Sequence, residues 1–102
     1  MQGHSISDSY DTELRRVVDR LRSMPINRLE ASQSIVEMLA KELLDCSRTL
    51  GSPAPATVPT LNTWAYGDVI MVLGTDLRND APTEEGLVSG LNALTLARQQ
   101  LP

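Results

Sequence analysis

Residues 61–77, Leu-Asn-Thr-Trp-Ala-Tyr-Gly-Asp-Val-Ile-Met-Val-Leu-Gly-Thr-Asp-Leu, form the stretch that decides the fold of this chain. They contain the only Trp, one of the two Tyr and the densest apolar run, residues 69–73. That run has strong strand propensity, and Gly67 and Gly74 each cost a helix about 1 kcal/mol relative to Ala. However, no other segment offers a strand to pair with it, and a lone strand would leave its backbone groups unsatisfied. The stretch is therefore predicted to be a helix.

Wound as a helix, this stretch carries apolar side chains on nearly every side, which is typical of a helix buried among others. We expect it to begin near residue 59 or 60 and to end by residue 78 or 79, with a break at residues 67–68 as an alternative. It is predicted to be the buried, central member of a set of four helices.

Two helices are predicted before it. The first covers residues 11–24, where apolar side chains recur at helical spacing, and Pro25 ends it. The second covers residues 28–50, and the spacing of Asn27 and Glu30 before and within it is that of a capping box. The tight turn at residues 25–27 makes these two helices antiparallel neighbours.

The last helix is predicted over residues 83–100. Between the second and third helices, the alternating prolines of residues 52–60 favour an extended crossover. Residues 1–9 are polar and are predicted to be a disordered tail, which leaves residues 10–102 as a single helical domain. The predicted fold is therefore an all-α, four-helix bundle-like domain with a buried third helix and a proline-rich crossover between helices two and three.

Composition excludes several classes of protein. The chain has 102 residues, a net charge of −4 and one cysteine, so it has neither the basic surface of a general nucleic-acid binder nor an internal disulfide. Its longest uncharged run, residues 49–67, is broken by three prolines and does not suit a membrane span. The expectation is a cytoplasmic protein with no nucleic-acid and no membrane partner.

Four charged residues are candidate polar anchors within the domain. Asp68 and Asp76 lie on the predicted central helix, and Arg15 and Arg28 lie on or just after the first helix. If the two aspartates are buried they need partners, and the arginines of the first helix are the natural candidates. Two carboxylates are also the groups of an acid–base pair or a metal site, although no His or third carboxylate is in register with them.

Two further residues have reactive side chains. His4 is the only histidine and falls in the predicted tail, which is typical of a solvated residue rather than a metal ligand or base. Cys46 lies on the apolar stripe of the second helix, where a cysteine usually acts as a small hydrophobe rather than a nucleophile. No catalytic, metal or cofactor motif is found.

The leading interpretation is a non-enzymatic protein–protein interaction or dimerisation module, acting as a homodimer or with another protein. Leftover apolar surface on the central helix would supply the interface, with these candidate residues: Trp64, Gly67, Met71 and Gly74. Alternatively, the glycine side of that helix is filled within one chain by Gly86 and Gly90 of the last helix.

Three other functions are considered. One is a small-molecule-binding regulatory domain with a pocket near Trp64, Tyr66 and the methionines. Another is an enzyme that uses Asp68, Asp76 and an arginine. The third is DNA binding through the arginine-bearing first helix.

Overall fold

The computed structural model describes residues 5–51 and 62–102, and all regular structure in these residues is helical. Short 3-10 turns at Thr63–Ala65 and Glu84–Leu87 lead into the last two of five α-helices: α1 (Ile6–Ser23), α2 (Ile26–Ala31), α3 (Gln33–Thr49), α4 (Tyr66–Asp80) and α5 (Val88–Gln100). The all-α prediction is confirmed, and residues 69–73 lie inside α4. The described residues contain five α-helices where four were predicted for the chain, and the predicted crossover lies outside the described residues.

Helix α1 begins at Ile6, five residues before the predicted start. Ser5 is its N-cap, and the Ser5 hydroxyl oxygen accepts a hydrogen bond from the Asp8 backbone N–H at 3.0 Å. Residues 5–9 therefore belong to the cap and first turn of a helix and not to a disordered tail. The C-terminal boundary is as expected, because Met24 is extended before Pro25 (ψ 141°).

The predicted capping box is wrong. Pro25 occupies the N-cap position of α2 with φ −62° and ψ 154°, and its carbonyl accepts from the N–H groups of Arg28 and Leu29. Because Pro25 already holds the extended conformation of an N-cap, the helix starts two residues earlier than predicted and Asn27 lies inside it. Neither Asn27 nor any other side chain caps α2.

The predicted single helix over residues 28–50 is interrupted at Ser32. The Ser32 hydroxyl donates to the Arg28 carbonyl at 2.8 Å, and the Ser32 N–H donates to the same carbonyl at 3.0 Å. A hydroxyl that bonds back to the preceding turn commonly bends a helix. The side chain is fully buried, so this bend is part of the packed interior and separates α2 from α3.

The main packing contacts of the helices run between the first half of the chain and the second half. Both α1 and α3 pack against α4 and against α5, whereas α1 and α3 touch each other little, as do α4 and α5. Side chains from these four helices and from the Glu84–Leu87 turn meet in one core, whose largest fully buried apolar members are Tyr10, Val17, Val18, Leu21, Val36, Leu43, Ile70, Leu77, Leu87 and Leu94. Each half of the chain, α1–α3 and α4–α5, therefore finds most of its apolar partners in the other half.

Contacts along the helices fix their directions. Arg22 pairs with Asp68 and Arg78 pairs with Asp11, so α1 and α4 are antiparallel. Glu13 pairs with Arg98, and the Arg20 guanidinium donates to the Pro102 backbone oxygen, so α1 and α5 are parallel.

Helix α4 is buried along one stripe and not on all sides, which corrects the prediction of a buried third helix. The stripe consists of Tyr66, Gly67, Ile70, Gly74 and Leu77. Val72 on the outer side is 57% exposed. The reason is that α4 packs against α1 and α3 but touches α5 little, so part of its circumference faces solvent.

Candidate functional site

The four predicted interface residues do not share one free surface. Trp64 lies in the 3-10 turn before α4 and is 76% exposed, while Met71 is half-buried. Gly67 and Gly74 are buried against α1: a Cβ on Gly74 would lie 2.5 Å from Leu14 Cδ1, and one on Gly67 would lie 2.8 Å from Arg22 Cγ. The glycine side of α4 is thus filled within the chain, by α1 and not by α5 as the alternative had it.

The predicted polar anchors are exposed, and Asp68 pairs with a different arginine of the first helix. Asp68 forms its ion pair with Arg22 (2.8 Å), and among the described residues no ion pair joins Arg15 or Arg28 to Asp68 or Asp76. The two aspartates are eight residues apart on one helix, which separates them by about 12 Å along its axis. At that distance they are too far apart to share a proton or a cation. Within residues 5–51 and 62–102, no group of three His, Cys, Asp or Glu side chains could hold a metal ion.

The surroundings of Cys46 favour the protonated form of its thiol. Cys46 is half-buried on α3, and burial raises the pKa of its thiol. The carboxylates of Glu42 and Asp45 raise that pKa further. Since the thiolate is the nucleophilic form, this environment lowers the reactivity of Cys46.

Two polar links between helices were not predicted. The buried Tyr10 hydroxyl donates to the Gly74 carbonyl at 2.6 Å and joins α1 to α4. The Arg98 guanidinium donates to both carboxylate oxygens of Glu13, at 2.7 and 3.1 Å, and joins α5 to α1. Both links fix α1 on the C-terminal half of the chain.

A groove of about 360 Å³ lies between α3 and α5. Met38 of α3 and Leu96 of α5 line it and are 61% and 52% exposed, while Leu39 and Ala97 are its buried apolar residues. We call this surface the α3/α5 groove; its remaining lining residues are Ile35, Glu42, Ser89, Asn92, Ala93 and Gln100. Glu42 is the one charged residue among those that line it.

The sequence carries one signal of this groove. Met38 lies off the apolar stripe of its helix, which indicates a second contact surface on that helix. Nothing in the sequence links Met38 to Leu96, because the two residues become neighbours only when α5 packs antiparallel to α3. That packing is seen in the approach of Gly90 to Leu43 and of Gly86 to Leu50.

Comparisons of the chain with protein-family models, with curated proteins and with solved structures gave no match. The proposal for its function therefore depends on the α3/α5 groove itself.

Proposed function

We propose that this chain is a non-enzymatic protein–protein interaction module that binds a partner in the α3/α5 groove. The observation that carries the proposal is the exposure of Met38 and Leu96 on either side of one groove. Large apolar side chains that lie together on a surface are typical of interaction sites.

The groove has two properties of a docking surface. It is built on two helices whose inner residues Leu39 and Ala97 are buried in the core, so its shape is fixed before binding. Met38 is also suited to the role, because a methionine side chain is flexible and adapts to the shape of a partner. A surface whose backbone is already ordered loses less entropy on binding than a flexible one.

Photo-crosslinking in cells that produce the protein tests the proposal. A photoreactive amino acid is placed at Leu96 in the groove and, as a control, at Val72, which is 57% exposed on α4. We expect a discrete protein adduct from position 96 and none of comparable yield from position 72. Adding Met38→Glu should abolish the adduct, because a charge in an apolar contact is costly to bury.

Equal adducts from positions 96 and 72, or an adduct from position 96 that survives Met38→Glu, would contradict the proposal. Helical circular dichroism of each variant controls for folding. Since Met38, Val72 and Leu96 are all exposed in the folded chain, none of these changes removes a core contact.

The proposal also includes three broader expectations: a bundle-like packing with residues 52–60 as the crossover, a cytoplasmic location, and no nucleic-acid or membrane partner. A net charge of −4 supports the exclusion of nucleic acid. None of the described helices has the length and apolar character needed to cross a membrane.

A small-molecule-binding regulatory domain is the second candidate function. A volume of about 360 Å³ falls within the range of ligand pockets, and the polar groups of Ser89 and Asn92 are available to orient a ligand. This groove is distinct from the predicted pocket near Trp64 and Tyr66. Methyl NMR of the methionines in a ligand screen tests it: a ligand should shift Met38 and leave the half-buried Met71 of α4 unchanged.

A further inference from the structure

The chemistry of the α3/α5 groove matches that of a surface that binds its own copy. We propose that the partner is a second copy of this chain, related to the first by a two-fold axis that passes over the groove. This inference rests on the proposed function and names its partner.

Two-fold symmetry restricts which residues can lie near the axis. In such an interface each residue at the axis meets the same residue of the partner. A group that is both donor and acceptor can pair with its own copy, whereas a charged group meets a like charge. The three uncharged polar residues of the groove follow this rule, because Ser89, Asn92 and Gln100 all carry a donor and an acceptor, whereas Glu42 does not.

Charge also favours the groove over the neighbouring surface between α1 and α5. The chain has a net charge of −4, so two copies repel each other and will meet where each presents the fewest charges. A cavity between α1 and α5 is lined by four charged side chains, namely Arg16, Asp19, Arg20 and Arg98. The groove is lined by one, Glu42.

The presence of only one charged residue among those that line the groove also argues against a strongly charged partner. A basic protein would find only the Glu42 carboxylate to pair with, and an acidic protein would find no cation among the groove residues. A second copy instead presents uncharged, apolar side chains to a groove that is itself mostly uncharged. Its exposed Met38 and Leu96 are apolar side chains of a size to enter the groove of the first copy, and the reverse contact forms by symmetry.

Sedimentation velocity from micromolar to millimolar concentration tests the inference. Wild type should form a concentration-dependent dimer. Met38→Glu and Leu96→Glu should each raise its dissociation constant by about tenfold or more, as expected for apolar residues at the centre of an interface. Val72→Glu introduces the same charge at an equally exposed apolar position on α4 and should leave the constant unchanged.

Glu42→Gln also tests the two-fold symmetry, and it should strengthen dimerisation where the Met38 and Leu96 variants weaken it. Replacing the one charged residue of the groove removes a repulsion between the two copies, so this variant should dimerise more tightly than wild type. The difference should shrink as salt is added, because salt screens the repulsion in wild type.

A wild type that stays monomeric to millimolar concentration would overturn the inference, and so would a dimer that Val72→Glu weakens as much as Met38→Glu does. The crosslinking result then separates this failure from that of the proposed function. A monomer with a groove-specific adduct to a different protein removes only the second copy as partner. A monomer without any groove-specific adduct removes both proposals.

Discussion

Gly74 is a residue at which α4 packs tightly against α1. An added Cβ would lie 2.5 and 2.9 Å from the two Cδ atoms of Leu14, which is 6% exposed in the core. Gly74→Ala should lower the free energy of unfolding by about 1 kcal/mol, because overpacking of about 1–3 kcal/mol exceeds the helix propensity gained. Chemical denaturation measures the change.

Gly67→Ala is the matched control on the same helix. Its Cβ would meet the Arg22 side chain, which is half exposed and can move aside. We expect a stability equal to or slightly above that of wild type. If both substitutions destabilised the protein equally, the close packing of Leu14 against Gly74 would not be the cause.

Ionisation of Tyr10 should make the stability of the fold depend on pH in the alkaline range. Burial raises the pKa of its phenol above the ordinary value of 10.0, so the folded state keeps a proton that the unfolded state releases. This group therefore stabilises the fold less as pH rises above about 10, by up to about 1.4 kcal/mol per pH unit. Tyr10→Phe should cost about 1 kcal/mol at pH 7 through the lost bond to the Gly74 carbonyl.

Above pH 10 the stability deficit of Tyr10→Phe relative to wild type should shrink and then reverse, because phenylalanine has no phenol to ionise. Denaturation of both proteins from pH 7 to pH 11 checks the sign. Tyr66 is present in both, so its own titration cancels in the difference. A deficit that stays constant with pH would show that Tyr10 ionises as readily in the folded state as in the unfolded one.

At the residue scale, the sequence predicted which side chains are apolar and buried more reliably than which polar ones are paired. Tyr10 lies on the apolar stripe of α1, and its burial followed from that periodicity. Its bond to the Gly74 carbonyl depends on the register of α1 against α4, which no local pattern encodes. The pairing of Asp68 with Arg22 rather than Arg15 or Arg28 depends on the same register.

The ion pair of Glu13 and Arg98 joins α1 to α5 and should be a stronger link than the ion pair of Asp11 and Arg78. The first is bidentate and its carboxylate is 12% exposed, whereas the second has one contact of 3.2 Å between side chains that are 40% and 47% exposed. Shielding from solvent strengthens a charge pair and protects it from salt.

Double-mutant cycles with alanine at both pairs measure the two coupling energies. The Glu13–Arg98 coupling should be the larger, and it should fall less between low and high salt. Equal couplings with equal salt dependence would show that the Glu13 carboxylate is solvated in solution despite its place between the helices.

At the element scale, the existence of the helices could be predicted, but some of their boundaries could not. Apolar stripes at helical spacing indicate a helix whatever surrounds it. The ends depend on local competition: Pro25 took the N-cap role that Asn27 was expected to have, and the buried hydroxyl of Ser32 bends the chain between α2 and α3. Serine is common inside helices, so its presence does not by itself predict a bend.

At the scale of the whole molecule, the fold is held together by packing between the N-terminal and C-terminal halves of the chain. Since α1 and α3 pack on α4 and α5 and little on each other, neither half has a core of its own. A fragment ending at residue 51 and one beginning at residue 62 should each show little helix alone, because short helices need tertiary packing. Mixed in equal amounts, they should regain the far-ultraviolet circular dichroism of the intact chain.

A helical spectrum from either fragment alone would contradict this interpretation of the packing.

The packing of one half of the chain on the other explains why the candidate site was only partly predictable. Met38 could be recognised as lying off its stripe, but Leu96 gains its neighbour from packing between the two halves. The apolar surface expected around α4 is instead covered on one side by α1 and α3.

The division of the core between the two halves has a consequence for biosynthesis. Helices α1 to α3 emerge from the ribosome while α4 and α5 are still inside the exit tunnel or not yet synthesised, so their apolar faces stay uncovered until the C-terminal half emerges. Nascent chains stalled with α1 to α3 outside the tunnel should therefore be digested readily by a protease, and protection should appear only once an added C-terminal linker has carried α5 out of the exit tunnel. During that interval the chain is a substrate for chaperones that bind exposed apolar segments.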